Sequence, residues 1–389
     1  MGPELKALIG FAVATAVAWA VTPLTARLAI RVGAVAPVTD RSIHESDMPA
    51  LGGVAILTGL LVAVLAFVPD SSTSEGIIAG ALVITLVGAL DDIFDLSAAV
   101  KLAGQLVAAM IPVLSGVVVN NATLPFIGAF NLGELAEPLT MIGIVAVVNV
   151  VNFTDGVDGL AAGVCAIAAA TFAVIALSLD RDASGILAAC AAGAALGFLF
   201  HNFHPASIFM GDAGSNLLGY MLACIAIQGL LKTAAAVALF FPLVVLAVPI
   251  LDTGFVIAKR IKYGVPVYQA DRWHFHHRFA NIGFSQRRTV LYLYAWTLCL
   301  AGLALGLRFI PYSDGHGNLH TGWTLVVLAA GLLTLAASFY LVIVLEILKL
   351  RRFSGRRMGR LRGKPSEQQI DAEVAEQLST GEFPAIQRD

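Results

Sequence analysis

Two acidic residues stand side by side where an apolar segment ends, in the stretch "GALDDIFDL" at residues 88–96. Neighbouring carboxylates raise each other's pKa unless a cation relieves their repulsion. Asp91 and Asp92 therefore favour a divalent-metal or phosphate-handling site, with a solvated helix end as the alternative. A third carboxylate, Asp95, and the cation Lys101 follow within ten residues.

A ladder of polar residues ends another apolar segment, in "NVVNFTDGVDGLAAG" at residues 149–163. Its members recur every third residue: Asn149, Asn152, Asp155 and Asp158. On a helix that spacing gives a polar stripe that drifts slowly around one face. Gly156 and Gly159 allow a tight turn and the close approach of a ligand. A plain connection between apolar segments needs fewer polar residues, so the ladder favours a binding site.

A third acidic position lies in "FMGDAGSN" at residues 209–216, where Asp212 stands between two glycines just before an apolar segment. Carboxylate and carbonyl oxygens are hard ligands that suit Mg²⁺ held jointly with substrate phosphates. The N-terminus of a following helix would add N–H donors for an anion. A glycine-rich turn with one Asp is also compatible with a purely structural role.

The stretch "DRWHFHHRF" at residues 271–279 is basic and rich in histidine. A zinc site needs three or four converging ligands, and the surrounding cations disfavour Zn²⁺. Arginine pairs with phosphate through two parallel hydrogen bonds, and histidine can donate to it. Phosphate binding is therefore favoured over a zinc site or a solvated basic loop.

The rest of the chain is mostly apolar, with 58% hydrophobic and 13% charged residues among 389. A soluble domain would be about a quarter charged. The composition predicts an all-α integral membrane protein whose catalytic domain spans residues 1–350, followed by a basic, then acidic, disordered tail at 351–389. Residues 120–136 predict a small external hairpin. Windows of about 20 apolar residues predict eleven transmembrane helices, at roughly 5–28, 51–69, 75–90, 98–119, 137–152, 157–179, 183–200, 215–231, 233–257, 288–308 and 322–348.

An outside N-terminus and a cytoplasmic C-terminus leave only four of the 24 Lys and Arg residues outside: Lys6, Arg181, Lys232 and Arg308. The positive-inside rule favours that orientation. It also brings five acid- or histidine-bearing stretches to the cytoplasmic face, at 40–53, 91–95, 152–159, 201–215 and 259–288. Acids for Mg²⁺, bases for several phosphates and many spans together predict transfer of a phosphorylated group from a nucleotide donor to a lipid. The rival is a cation-coupled transporter, which would hold its acids near the midplane of the bilayer.

These motifs, in this order, resemble those of the polyprenyl-phosphate N-acetylhexosamine-1-phosphate transferases, the glycosyltransferase 4 family. The resemblance covers roughly residues 20–300 and rests on "GALDDIFDL", "NVVNFTDGVDGLAAG", "FMGDAGS" and "HFHHR". The His-x-His-His-Arg spacing is similar to the branch that uses UDP-GlcNAc. The branch that makes lipid I has three adjacent histidines there. In the first cytoplasmic loop Arg41 and His44 match the family, whereas Ser42 replaces its usual lysine.

The resemblance implies a role for each matching residue. Asp91 and Asp92 would be catalytic, Asp212 and Asn152 would bind Mg²⁺, and Lys101 would contact phosphate. Asp155 would line the junction between nucleotide and sugar. The residues implied for uracil are Asp158, Gly156 and Phe209. Those implied for the pyrophosphate or sugar are His274, His276, His277 and Arg278. Further candidates are Arg41, His44 and Asn202.

The implied reaction moves GlcNAc-1-phosphate from UDP-GlcNAc to a polyprenyl phosphate of the undecaprenyl or decaprenyl type, with release of UMP. It would be the first membrane step of a cell-envelope polysaccharide, in the bacterial cytoplasmic membrane. Mg²⁺ is the implied cofactor, with Mn²⁺ able to substitute, and tunicamycin the implied inhibitor. A homodimer is implied and no nucleic-acid partner. The alternative inside the family is phospho-MurNAc-pentapeptide transfer, the synthesis of lipid I.

Overall fold

The computed structural model describes residues 1–36, 47–124, 128–231, 246–262, 285–312 and 319–338. Arg41, His44 and the histidine-rich stretch with His274, His276, His277 and Arg278 lie outside the described residues, as does the tail from 351. The described part of the chain contains eleven α-helices: α1 Pro3–Val32, α2 Gly52–Phe67, α3 Ser72–Phe94, α4 Ala98–Leu114, α5 Ala136–Thr154, α6 Leu160–Ser178, α7 Asp182–Asn202, α8 Gly211–Ile225, α9 Ala247–Lys262, α10 Gln286–Phe309 and α11 Thr321–Ser338.

The helices confirm the prediction of an all-α membrane protein. Among the described residues, seven helices are long and apolar enough to cross a bilayer, and α2 and α4 are shorter apolar helices. Each predicted span overlaps one of the helices, while the number of crossings and their orientation stay predictions. One boundary was wrong in a way that matters. The span predicted from residue 215 begins at Gly211, so Asp212 lies in the first turn of α8 rather than before it.

The core of the bundle lies around α6, α7 and α8, where small residues let backbones approach closely. On α7, a Cβ added to Gly193 or Gly197 would collide with the Phe11 or Thr15 carbonyl of α1. Close backbone approach is how helices associate without a hydrophobic driving force between them. From Ala213 to Ile225, every residue of α8 is buried. The helix that carries Asp212 therefore runs through the middle of the protein.

Two short hairpins complete the described fold. Strands β3 (Asn121–Leu124) and β4 (Gly128–Asn131) pair antiparallel, which confirms the predicted hairpin. Strands β1 (Val35–Ala36) and β2 (Met48–Pro49) pair in the same manner. From the last residue of β2 onward, the chain is hydrogen-bonded to the segment that leads into α8. The Phe209 N–H donates to the Pro49 carbonyl at 2.8 Å, and the Gly52 N–H donates to the Phe209 carbonyl at 3.0 Å.

The motif residues lie at the C-terminal ends of α3 and α5 and at the N-terminal ends of α4 and α8. Asp91 and Asp92 end α3, Lys101 begins α4, Asn152 lies near the end of α5, and Asp212 begins α8. Because these helices alternate in direction, their polar ends meet at one end of the bundle. The hydrogen bonds described below join them there, as the one-face prediction requires.

Candidate active site

The Asp92 carboxylate holds the N-terminus of α8. Its Oδ1 accepts a hydrogen bond from the Asp212 N–H at 2.7 Å, and its Oδ2 accepts one from the Ala213 N–H at 3.0 Å. The first N–H groups of a helix have no partner inside the helix, and a carboxylate there also interacts favourably with the helix dipole. Asp92, at the end of α3, thus fixes where α8 starts and where Asp212 points.

Gly211 provides the turn into α8. Its φ is 67°, in the left-handed region that glycine adopts without steric cost. A Cβ there would also collide with the Ala50 carbonyl and the Asp92 carboxylate. The position therefore has both a conformational and a steric requirement for glycine.

Replacing Gly211 with Ala is expected to lower the free energy of unfolding by more than about 1 kcal/mol, since a left-handed conformation costs an L-residue that much before any collision. Activity should fall as well, because the Asp92 contact would be displaced. Thermal unfolding in detergent measures the first effect. Gly143→Ala is the matched control: it lies mid-helix in α5 with nothing near its Cβ position, so it should be neutral or stabilising. Equal stability of the two variants would contradict the requirement.

Lys101 joins two of the predicted acidic residues. Its Nζ lies 3.2 Å from Asp91 Oδ2 and also forms an ion pair with Asp212 Oδ2. The other Asp91 oxygen, Oδ1, accepts a hydrogen bond from the Leu96 N–H at 2.9 Å. Carboxylates from α3 and α8 thus converge on one cation. All three side chains in the ion-pair group are partly exposed, so solvent can reach them.

Asn152 fixes the remaining Asp212 oxygen. Its Nδ2 donates to Asp212 Oδ1 and to Ser215 Oγ, each at 2.8 Å. As a metal ligand Asn152 would present its amide oxygen, whereas here its amide nitrogen faces Asp212. The hydrogen bonds make Asn152 an orienting partner of Asp212, and its role as a second ligand stays a prediction.

Asp91, Lys101, Asn152 and Asp212 are called the acidic group below. Its carboxylates fit Mg²⁺ by their donor chemistry. The ammonium of Lys101 marks a place where a metal cation would be bound, since two carboxylate oxygens from different helices converge on it. Within the described ranges, no three His, Cys, Asp or Glu side chains form a ready-made metal cluster. Mg²⁺ typically takes one or two carboxylates, with waters and substrate phosphates completing its shell. Asp212, together with Asp91, can hold such an ion.

Asp155 follows the last residue of α5 and is partly buried. Burial, with the nearby carboxylates of Asp92 and Asp158, raises the pKa of its carboxyl to about 7. A cation arriving nearby would favour the ionised form of this carboxyl. Asp155 thus lies near Asp92 and Asp158. The connection between α5 and α6 therefore belongs to the same polar end of the bundle as Asp92.

Asp158 and Asn202 tie the loops around α6 and α8 together. Asp158 Oδ2 accepts from the Ala206 N–H at 3.1 Å and lies 2.9 Å from His204 Nδ1. Asn202 Oδ1 accepts from the Gly159 N–H, and its Nδ2 donates to the Ile208 carbonyl, both at 2.9 Å. Both side chains are buried. Their described bonds position loops, and the implied contact of Asp158 with uracil stays a prediction.

The other two residues implied for uracil lie on the loops joined by these bonds. Gly156 is exposed between α5 and α6, and Phe209 is partly buried just before α8. The structure thus brings together the acids, Lys101 and Asn152, and places the predicted nucleotide residues on adjoining loops.

Three side chains at this end were not predicted as site residues from the sequence. Ser215 lies one turn after Asp212, a spacing that could have indicated it. His204 pairs with Asp158, but a single histidine beside a proline carries little signal. The hydroxyl of Tyr294 in α10 donates to the Gly159 carbonyl. A tyrosine in an apolar helix gives no sequence signal for that contact.

Comparison with known proteins is consistent with this arrangement. Residues 74–230 match the model of glycosyl transferase family 4. The chain is 39% identical over 292 residues to a probable undecaprenyl-phosphate N-acetylglucosaminyl 1-phosphate transferase of Bacillus subtilis, which covers 75% of this chain and 82% of the relative.

Two further relatives differ in the names they carry. A decaprenyl-phosphate N-acetylglucosaminephosphotransferase of Mycobacterium leprae is 36% identical over 342 residues, or 79% of this chain and 85% of the relative. A phospho-N-acetylmuramoyl-pentapeptide-transferase of Desulforudis audaxviator is 35% identical over 295 residues, or 69% and 86%. With such similarity over most of both sequences, and with its acidic motifs gathered at one end of a helical bundle, the chain belongs to glycosyl transferase family 4.

Proposed function

We propose that the protein transfers GlcNAc-1-phosphate from UDP-GlcNAc to an undecaprenyl or decaprenyl phosphate and releases UMP. The observation that carries the proposal is the convergence of Asp91 and Asp212 on one cation at the start of α8. Support for the lipid and the sugar comes from the Bacillus and Mycobacterium relatives, which are named for N-acetylglucosamine phosphate transfer to undecaprenyl or decaprenyl phosphate. Apolar helices long enough to cross a bilayer suit a lipid substrate.

In the proposed reaction, an oxygen of the polyprenyl phosphate attacks the β-phosphorus of the UDP-sugar. A new P–O bond forms there, the bond from that phosphorus to the bridging oxygen breaks, and UMP leaves with the electron pair. A phosphate monoester is largely dianionic at neutral pH, so little proton transfer is needed. Mg²⁺ bound at Asp212 would supply positive charge to the pyrophosphate. Stabilising charge at fixed positions is then the protein's main task.

The described side chains supply that stabilisation in distinct ways. Lys101 adds a positive charge beside the carboxylates and can turn it toward a phosphate. Asp91 holds the Lys101 ammonium, and Asp92 holds the backbone from which Asp212 projects. Asn152 restricts the rotation of the Asp212 carboxylate. The histidine-rich stretch at 274–278 would bind the donor from outside the described residues.

The remaining parts of the proposal concern where the protein works. We place it in the bacterial cytoplasmic membrane with this end of the bundle toward the cytoplasm, where nucleotide sugars are found. The positive-inside distribution of Lys and Arg supports that orientation. Mn²⁺ should replace Mg²⁺, and a homodimer is the expected assembly.

Purified protein incubated with radiolabelled UDP-GlcNAc, polyprenyl phosphate and Mg²⁺ should yield a labelled lipid. Omitting the lipid acceptor or adding EDTA should remove the product, and tunicamycin should inhibit its formation. A lipid product from UDP-MurNAc-pentapeptide, with none from UDP-GlcNAc, would overturn the sugar assignment and place the protein with the relative from Desulforudis. No lipid product from either donor would overturn the proposed function as a whole.

A further inference from the structure

Three amide side chains form a second polar level beneath the acidic group. Gln105 lies one turn after Lys101 on α4, Asn149 lies one turn before Asn152 on α5, and Asn216 lies one turn after Asp212 on α8. Residues three or four apart share a face of a helix. Each amide therefore lies one turn deeper in the bundle than a residue of the acidic group. Gln105, Asn149 and Asn216 are called the amide layer below.

Contacts on either side place this layer between α4 and α8. Above it, the Lys101 ammonium of α4 meets the Asp212 carboxylate of α8. Below it, a Cβ added to Gly80 would collide with both the Tyr220 hydroxyl of α8 and the Ala108 carbonyl of α4. Groups of the two helices thus reach common points above the layer, at the ion pair, and below it, beside Gly80 of α3. The amide side chains of α4 and α8 lie between those two points.

Gln105 and Asn216 are buried and Asn149 is partly buried, yet several polar atoms of the amide layer lack hydrogen-bond partners among the described residues. Asn149 Nδ2 donates to Gln105 Oε1 and to the Val145 carbonyl, each at 2.8 Å. Gln105 Nε2 and both polar atoms of Asn216 have no hydrogen-bond partner among the described residues. Gln105 is 2% exposed and Asn216 is 0% exposed. An unsatisfied buried polar group costs about 1–3 kcal/mol, and native proteins commonly satisfy such groups with ordered water.

We infer that the amide layer encloses ordered water and that its three residues are positioning residues for the acidic group above. A water oxygen can accept from Gln105 Nε2 and Asn216 Nδ2, and a water hydrogen can be donated to Asn216 Oδ1. Those bonds supply the two to four partners that a buried water needs. The layer then links α4, α5 and α8 just below the residues that would act on phosphate. This role rests on the proposed function.

A positioning role explains why amides occupy a place that apolar side chains could fill. Polar groups deep in a membrane protein are costly and are usually tied to function. Hydrogen bonds have defined directions, whereas apolar contacts allow helices to slide. A misplacement of reacting groups by about 1 Å can reduce a rate about 100-fold. The layer should therefore affect turnover more than the binding of substrate.

The direct test replaces Asn216 with Leu, which is similar in size and cannot bind water. We expect kcat to fall roughly 10- to 100-fold, with the KM for UDP-GlcNAc nearly unchanged. The unfolding temperature should stay close to that of the wild type, because Leu fills a similar space and removes the buried polar atoms together with the water that satisfies them. Asn216→Ser should keep more activity than Asn216→Ala, since the serine hydroxyl can still bind water in the enlarged space. Thr171→Val on α6 is the control, a buried hydroxyl lost without contact to the layer.

Two results would overturn the positioning role. One is an unchanged kcat in both Asn216→Leu and Asn216→Ala. The other is a loss of activity that follows a fall in unfolding temperature, with Ser no better than Ala, which would indicate packing alone. A density map that resolves ordered water provides a readout independent of turnover. Water between Gln105 and Asn216 supports the layer even if the proposed reaction fails. A map that resolves the three amide side chains and shows no water between them refutes it.

Discussion

Replacing Asp212 with Asn is expected to reduce turnover by roughly 10³-fold or more, the largest single effect in the described part of the site. Loss of one fixed electrostatic contact at a reacting oxyanion commonly costs about 10²- to 10³-fold in turnover. Asp212 contributes to two such contacts, since its carboxylate meets Lys101 and is the proposed Mg²⁺ ligand. The neutral amide can replace neither.

The fold should tolerate this change. The Asp212 N–H would still donate to Asp92, and the new side chain could still accept from Asn152. The lost ion pair with Lys101 is partly exposed, and such pairs contribute at most about 1 kcal/mol. Unfolding in detergent should therefore remain close to wild type, so that the effect on turnover reports on chemistry.

The assay follows the labelled lipid across a titration of Mg²⁺, with Mn²⁺ binding by electron paramagnetic resonance as a second measurement. Asp182→Asn is the charge-matched control. Asp182 is exposed in the first turn of α7, at the end of that helix away from Asn202. If Asp212→Asn kept wild-type activity at every Mg²⁺ concentration, the assignment of the metal to Asp212 would be wrong. If it lost activity while binding Mn²⁺ normally, Asp212 would serve Lys101 instead.

The helices and the general place of the site could be predicted from the sequence. Apolar windows found each described helix, because a backbone in lipid must satisfy its hydrogen bonds within the segment. The alternation of helix direction then sends Asp91, Lys101, Asn152 and Asp212 to one end. Those predictions depend only on chain order and length, so they need no knowledge of which helices touch.

The use of each side chain could not be predicted in the same way. Periodicity shows that Gln105 shares a face with Lys101, but it does not show that Asn149 lies opposite. Nor does it show that Asn152 turns its nitrogen, rather than its oxygen, toward Asp212. Such pairings depend on helix packing and rotation, which small residues such as Gly53 and Gly88 decide by letting α8 approach closely.

Asp91 and Asp92 illustrate that limit most clearly. Both belong to one motif, and the sequence predicts one catalytic role for the pair. In the structure Asp91 faces Lys101 and the Leu96 N–H, whereas both oxygens of Asp92 accept from the backbone at the start of α8. Two adjacent residues on a helix point about 100° apart, so a shared role for neighbouring acids is not expected from geometry.

Replacing Asp92 with Asn should therefore impair both folding stability and turnover, whereas Asp91→Asn should impair turnover alone. An amide has only one acceptor atom, and its NH₂ would face a backbone N–H. The loss of a charge-assisted bond at a helix N-terminus, with one donor left unsatisfied, should lower the free energy of unfolding by about 2 kcal/mol. Turnover should fall because Asp212 projects from the same turn.

Thermal unfolding and lipid product measured on the two Asn variants separate these roles, and each variant is the control for the other. Asp92→Asn with wild-type stability but no turnover would show that Asp92 acts on the reaction itself and that its backbone bonds are dispensable. Equal loss of stability in both variants would show that Asp91 also supports the start of α8. The expected contrast instead assigns the two carboxylates different tasks. Asp92 sets the position of the helix that carries the proposed metal ligand, and Asp91 sets the position of the Lys101 charge beside it.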